Sequence, residues 1–402
     1  MKNKYIAFIE QNKTTGSTIN IILDALTRSD FSELNDENIF DEDYLASIET
    51  NLFDISLSQE QYIKLNFNYE EGSWVEFSTS MSKTEVVANL HHGIFFDDNF
   101  EKIYIEDVKP ISIKSKLKLY SMNIFPETNI YRIFTIIRKI NPANVQCYNV
   151  GQGNCNSICD SNGEPLVYFD FGAGVYGNSK TYPLNREILD AFSFRENPLV
   201  ILSHWDWDHM GSAQKTIHSK VKDLLWLVPK QEVGITHLKF AIELYNKGNL
   251  LLWPDEISNI KSKYIEIQKI NTNRKKDRNN NGLIVIVKIP VEESNTQFNI
   301  LLPADASYLN ICLCRYKELN GLVATHHGAT SHKCLIDIPK ASYDNLLAYS
   351  YGEDNTFDHP KDLSKDAHKK QGWYNSAKTI DGDILISPKP MKIEDIIENM
   401  DQ

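Results

Sequence analysis

The stretch VILSHWDWDHMGSA, Val200 to Ala213, runs from an apolar strand-like segment straight into four ligand-type side chains. His204, Asp206, Asp208 and His209 fall within six residues, interleaved with Trp205 and Trp207. An extended chain sends residues i, i+2 and i+4 to one side. His204, Asp206 and Asp208 are therefore expected to face one cavity while the two tryptophans pack the other way. His209 follows at the expected start of a helix, displaced enough to serve a second centre. Two ionised carboxylates beside apolar walls repel each other, and with two imidazoles in the same cluster a cation relieves that cost better than a proton does.

Three later stretches end apolar runs in the same manner. FNILLPADAS places Asp305 just past a strand, where a lone aspartate is more often a helix N-cap. GLVATHHG places His326 and His327 at another strand end, with Gly328 allowing close backbone approach. NLLAYSYGEDNTFDHP ends with His359 before a proline. Each is a moderate signal alone. Together they describe a metal site built at strand tips.

The chain has 402 residues, 42% hydrophobic and 24% charged, as expected of a globular protein with enough apolar material for a core. It holds no apolar window of the ~18 residues that a membrane helix needs, and its first residues lack a secretion signal. A cytoplasmic protein with no membrane attachment is expected. The cysteines, at 147, 155, 159, 312, 314 and 334, form neither a CxxC pair nor a dense disulfide framework, so reduced thiols are expected. A net charge of −12 disfavours a protein that grips nucleic acid over its whole surface. The loop NRKKDRNNNG, with Arg274, Lys275, Lys276 and Arg278, could track a phosphate backbone, although a solvated surface loop is its plainer reading.

Residues 1–140 read as a small α+β region, from alternating segments such as QYIKLNFNYEEGSWVEFS and EKIYIEDVKPISIKSKLKLYSM. The acidic stretch from Ser29 to Glu49 begins a helix or remains a solvated loop, and is a candidate surface for docking a protein partner. His91 and His92, with no carboxylates nearby, read as strand or turn residues. Residues 141–402 alternate short apolar strands with helical candidates at Tyr182–Phe194, His237–Gly248 and Ala306–Leu319. Sheets with helices on their outer faces are the economical packing of that alternation.

The order of YNVGQGNC, YFDFGAG, ILSHWDWDHMGS, ILLPADA, VATHHGA and AYSYGEDNTFDHP, spread over residues 148–360, resembles the metallo-β-lactamase superfamily. Within it, the resemblance is to the hydrolase domain of late-competence DNA-uptake proteins (ComEC-type). It implies an α/β (α+β) chain with an αββα sandwich and two divalent cations at one edge of the paired sheets. His204 and Asp206 would bind the first cation and Asp208 and His209 the second, with Asp305 bridging. His326 or His327 would complete the shell, with His326 favoured as nearer the strand end. Asp170 would orient the site from behind, and His359 would contact substrate or metal. Asp206 stands where the superfamily more commonly has histidine. Only His218 and His237 lie in the interval that usually supplies a further ligand, and Asn149 and Asn154 replace subgroup aspartates. Oxygen-rich ligation moves preference from zinc toward manganese or magnesium.

The implied activity is a metal-dependent phosphodiesterase or nuclease in which two cations activate water, with Asp208 managing the proton and His327 or His359 positioning the phosphate. The turn Gly151 to Gly153 either offers amides to an anion or is simply a tight hairpin. Two other readings stand beside this one. One is hydrolysis of a small ester, lactone, thioester or cyclic nucleotide. The other is a metal-stabilised interaction component of a multi-protein, defence-type system.

Overall fold

The computed structural model describes residues 3–80, 84–111, 114–184, 192–274, 276–291, 296–330 and 334–388. Period-two burial organises the first hundred residues. In β1 (Asn3–Thr15), Tyr5, Ala7 and Ile9 enter one apolar cluster while Ile6 and Phe8 enter another. With β2 (Thr18–Thr27), β3 (Asn51–Ser58), β4 (Trp74–Ser80), β5 (Val87–His91) and β6 (Glu101–Pro110) it closes an antiparallel barrel, in the order β1-β2-β3-β5-β6-β4. Between Ile9 and Gln11 the β1–β2 register slips by one residue. Glu10 is thus left without a partner on β2 and turns outward, as the extra residue of a bulge does.

Short helices decorate the barrel. The acidic stretch forms α1 (Arg28–Glu33) and α2 (Glu42–Ser47), capped by the side chains of Thr27 and Asp41. QYIK, expected as a strand, lies instead in α3 (Gln59–Lys64). There Ser58 and Gln61 satisfy each other's backbone amides in a capping box.

Two seven-stranded sheets follow α4 (Ile130–Ile137). The first contains β7 (Asn144–Cys147), β8 (Cys155–Cys159), β9 (Pro165–Phe171), β10 (Leu199–Ile201), β11 (Trp226–Val228) and β12 (Leu250–Leu252), plus β20 (Ile384–Ile386) from the far end of the chain. The second runs in sequence order through β13 (Asn259–Lys261), β14 (Ile265–Lys269), β15 (Leu283–Pro290), β16 (Gln297–Leu302), β17 (Leu319–Val323), β18 (Ala341–Tyr349) and β19 (Ser376–Lys378). Strands β9 to β12 pair in parallel, as do β16 to β19. Val167, Phe169 and Ile201 of the first sheet share a core with Val285, Val287 and Ile300 of the second.

The expected αββα sandwich behind a small α+β region is corrected by this architecture. Strand (34%) outweighs helix (24%), and the first region is a closed six-stranded barrel. The outer face of the first sheet is covered by the barrel's flank, through Ile6, Phe8 and Ile22, together with α6 (Ile235–Asn246). Turns bearing Tyr308, Ile311 and Trp373 cover the second sheet together with one short helix, α7 (Asp362–Lys369), whose Ala367 packs on the same core. The helix expected at Ala306–Leu319 is reduced to a single 3-10 turn, Tyr308–Asn310. The Gln268 side chain on β14 accepts from Cys312 N–H and donates to Cys312 C=O, taking groups a helix would need. Of the helix expected at Tyr182–Phe194, residues 185–191 lie outside the described residues. Among the described residues no helix is long and apolar enough to cross a membrane.

Candidate metal centre

The strand carrying the histidine–aspartate motif stops at Ile201. The expected alternation therefore runs only as far as Asp206, which precedes the helical turn α5 (Trp207–Met210) in extended conformation. His204 and Asp206 share a side, with His204 Nε2 lying 3.2 Å from Asp206 Oδ2. Asp208 and His209 enter from the helical turn. Glycines make this approach possible. A Cβ on Gly172 would meet the Asp208 carbonyl at 1.9 Å, and one on Gly153 would meet it at 2.7 Å. Asn154 N–H donates to the same carbonyl at 2.9 Å.

Two groups of ligand-type atoms gather within 4.8 Å of one another: His204, His209 and Asp305, and Asp208, His209 and His327. Asp305 follows β16 and presents Oδ1 to His209 Nε2 at 3.1 Å and Oδ2 to His326 Nε2 at 3.5 Å. His327 Nε2 lies 3.3 Å from Asp208 Oδ2. His326, favoured from sequence for the shell, is thus placed against Asp305, and His327 sits with Asp208 and His209. Both histidines adopt left-handed backbone, φ 48° and 55°, followed by Gly328 at 82°. Such strain persists only where the surroundings fix it. His326 N–H donates to Ala304 C=O, and Lys361 N–H donates to Gly328 C=O.

Behind the cluster, fully buried Asp170 accepts from four donors: Ser203 N–H at 2.7 Å, Ser203 Oγ at 2.9 Å, Asn154 Nδ2 at 2.7 Å and His209 Nδ1 at 2.8 Å. The last bond keeps a proton on His209 Nδ1, so Nε2 is the ring nitrogen that faces the cluster and can bind a cation once its own proton leaves. Ser350 C=O does the same for His327 by accepting from Nδ1 at 2.7 Å. Asn154 thus holds the orienting carboxylate where a subgroup aspartate was expected. His359 stands off, with its ring centre 5.9 Å from that of His326 and 6.3 Å from that of His327. Its Nδ1 accepts from Gln152 Nε2 at 3.4 Å.

Charge is tightly balanced here. Burial and charged neighbours compete at His209, Asp305 and His326. Against burial, Asp305, Asp170 and Asp208 hold the His209 imidazolium well above the usual histidine range. Against burial, His326 and His209 hold Asp305 well below the carboxylate range. Burial does push His326 down to about 4 and His359 to about 2, the latter helped by the two neighbouring imidazoles.

Three participants carried little sequence signal. Arg278, from the supposed solvated loop, is buried, with Nε 2.8 Å from Asp206 Oδ1 and Nη1 3.0 Å from Glu10 Oε2. Lys276 in that loop reaches Ser73 on the barrel at 3.0 Å, and Lys275 lies outside the described residues. Lys13 of β1 places Nζ 3.4 Å over the Phe357 ring. The amides of Gly151, Gln152 and Gly153 are taken by Asn149 Oδ1, Thr181 Oγ1 and Gly151 C=O, which makes that turn a hairpin and not an anion nest. His218 and His237 are buried away from the cluster, His218 against Tyr182 and His237 against Trp207.

A cavity of about 470 Å³ opens over the cluster between barrel and sheets, lined by Lys13, Asn20, Asp54 and Ser56 of the barrel and by Asp206, Asp208, Asp305 and His326. No protein-family model matches the chain, and no curated protein matches it.

Proposed function

We propose that this chain is a metal-dependent phosphodiesterase, related in its motifs to metallo-β-lactamase hydrolases and acting on nucleic acid or a smaller phosphodiester. One observation carries the reading. His204 Nε2, His209 Nε2 and His327 Nε2 are buried at 3.1–3.3 Å from carboxylate oxygens yet make no directed hydrogen bond. Each sits instead in a group of ligand atoms that lie within 4.8 Å of one another, as the ligands of a cation do. Buried and unsatisfied, each would otherwise cost about 1–3 kcal/mol.

The imidazole and carboxylate donors fit zinc or manganese, with magnesium less favoured by the histidines. His204, His209 and Asp305 would hold one cation, and Asp208 and His327 a second. The second oxygen of Asp305 lies 3.5 Å from His326 Nε2, which would steady that carboxylate. Two such cations supply Lewis acidity, lowering the pKa of water and neutralising charge on an attacked phosphoryl group. The protein's own groups do the rest. Asp170 and the Ser350 carbonyl lock the ring orientations. His359 stays neutral, and because Nδ1 accepts from Gln152, its Nε2–H is the donor left for a phosphoryl or leaving oxygen. Lys13 offers a positive charge at the cavity wall.

The test is hydrolysis of bis(p-nitrophenyl) phosphate and of labelled single- and double-stranded DNA and RNA by zinc- or manganese-loaded protein. Turnover is expected to vanish with chelator and in Asp208→Asn. Metal-loaded protein that cleaves none of these substrates would sink the reading.

The lining favours a small phosphodiester over a polymer. Six carboxylates (Glu10, Asp54, Glu71, Asp206, Asp208 and Asp305) face two cations, Lys13 and Arg278, and Arg278 is already paired. Polymer binding draws on several Lys or Arg contacts to successive phosphates. The volume lies within the ~300–1,000 Å³ of small-molecule sites.

A further inference from the structure

A second convergence of ligand-type atoms lies where the barrel meets α6. Glu10 from the β1 bulge, Asp24 from β2 and His237 from α6 are all buried, with ligand atoms within 4.8 Å of one another. His237 Nδ1 is 3.2 Å from Glu10 Oε1, yet neither atom makes a directed hydrogen bond, and His237 Nε2 makes none either. This is the same close but misaligned relationship as in the first cluster. Arg278 engages Glu10 through Oε2 with both Nη atoms, at 3.0 and 3.1 Å, so Oε1 is left to this site.

The backbone makes room for it. Gly234 precedes α6, and a Cβ there would lie 2.3 Å from Asp24 Oδ2 and 2.6 Å from Glu10 Oε1. Asp24 is fixed by Thr236, whose N–H donates to Oδ2 and whose hydroxyl donates to Oδ1, both at 2.8 Å. A carboxylate oxygen retains lone pairs after one such bond. Trp207 stacks on the His237 ring at 4.2 Å and fixes its plane. Two carboxylates this close and this dry need a proton or a cation between them. Burial and Glu10 together push the Asp24 carboxyl up to about 7.

We propose that Glu10, Asp24 and His237 bind a divalent cation, zinc or manganese, that fastens barrel strands β1 and β2 to the start of α6. Two oxygens and one imidazole nitrogen suit either ion. The site is separate from the hydrolase reading and does not depend on it.

Metal counting on the full-length chain tests it. Protein is loaded with zinc, or with manganese, desalted and measured by plasma mass spectrometry. His237→Gln is expected to hold one equivalent per chain fewer than wild type, whereas Asp305→Asn keeps that equivalent. In wild-type crystals grown with zinc, an anomalous peak is expected among Glu10, Asp24 and His237, and this decides the matter if His237→Gln does not fold. Equal metal content in folded His237→Gln and wild type overturns the proposal, as does an anomalous map without that peak. Absence of phosphodiester cleavage with this equivalent in place would count against the hydrolase reading alone.

Discussion

Arg278 Nε lies 2.8 Å from Asp206 Oδ1, so a buried guanidinium is bound to a carboxylate of the candidate metal cluster. The same group reaches Glu10 on the barrel, tying three parts of the chain together. Arg278→Met keeps the bulk and strands both carboxylates. Removing one partner from a buried pair costs about 3–5 kcal/mol. Urea unfolding is expected to show a loss of that order, partly recovered when Asp206→Asn is added. A loss within ordinary surface range would mean that the ion pairs contribute little.

Asp170→Asn retains the shape of the orienting group but replaces one acceptor oxygen with a donor. With Ser203, Asn154 and His209 all donating to the carboxylate, the amide cannot satisfy them all. Substitutions behind metal ligands typically cost about 10–100-fold in affinity. A competition titration with a zinc chelator is expected to show that weakening, while the circular dichroism spectrum stays the same. Unchanged affinity would remove Asp170 from the site.

In chelator-treated protein His209 and Asp305 set opposite pH limits. The raised pKa of His209 means that its contribution is full below the ordinary value of 6.5 and is lost as pH rises through the folded value. The depressed pKa of Asp305 means that its contribution is present above the ordinary value of 3.8 and is lost as pH falls through the folded value. Melting of stripped protein is expected to be highest between those two ordinary values as far as this pair is concerned. Loading zinc at neutral pH should release the His209 proton. A pH-indicator titration that detects no release contradicts the assignment.

Lys13→Ala removes a positive charge from the barrel side of the cavity without touching a metal ligand. A charge-assisted contact is worth about 1.5–3 kcal/mol, so kcat/KM toward a small phosphodiester is expected to fall roughly 10- to 100-fold, chiefly through KM. Metal content should stay as in wild type. An unaltered KM would place substrate elsewhere.

Much of the cluster was legible because its donors sit at the ends of apolar runs. PLVYFDF, GLIVIVKIP and FNILLP became strands nearly as read, since burial on both faces leaves continuous apolar sequence. The barrel was not legible. Its closure brings β4 between β1 and β6, pairings that no local pattern encodes. The Ala306–Leu319 helix failed for a related reason, because the amide that captured Cys312 comes from Gln268, 44 residues away. Arg278 looked like a surface charge since Glu10 lies 268 positions from it in the chain. His326 and His327 were recognised as a pair, but the left-handed turn that separates their roles has no side-chain signature beyond Gly328.

The slip at Glu10 also changes the phase of β1. Ahead of it Ile6 and Phe8 look outward, toward the sheets. Beyond it, odd-numbered Lys13 looks outward over Phe357, while Asn12 donates to Tyr69 C=O. One strand thereby writes an apolar footing, an acidic contact and a basic contact onto the same face in succession. At unchanged length but without the slip, β1 would pair Lys13 with Ile19 and turn it into the barrel interior, so the cavity would lose its cation through parity alone.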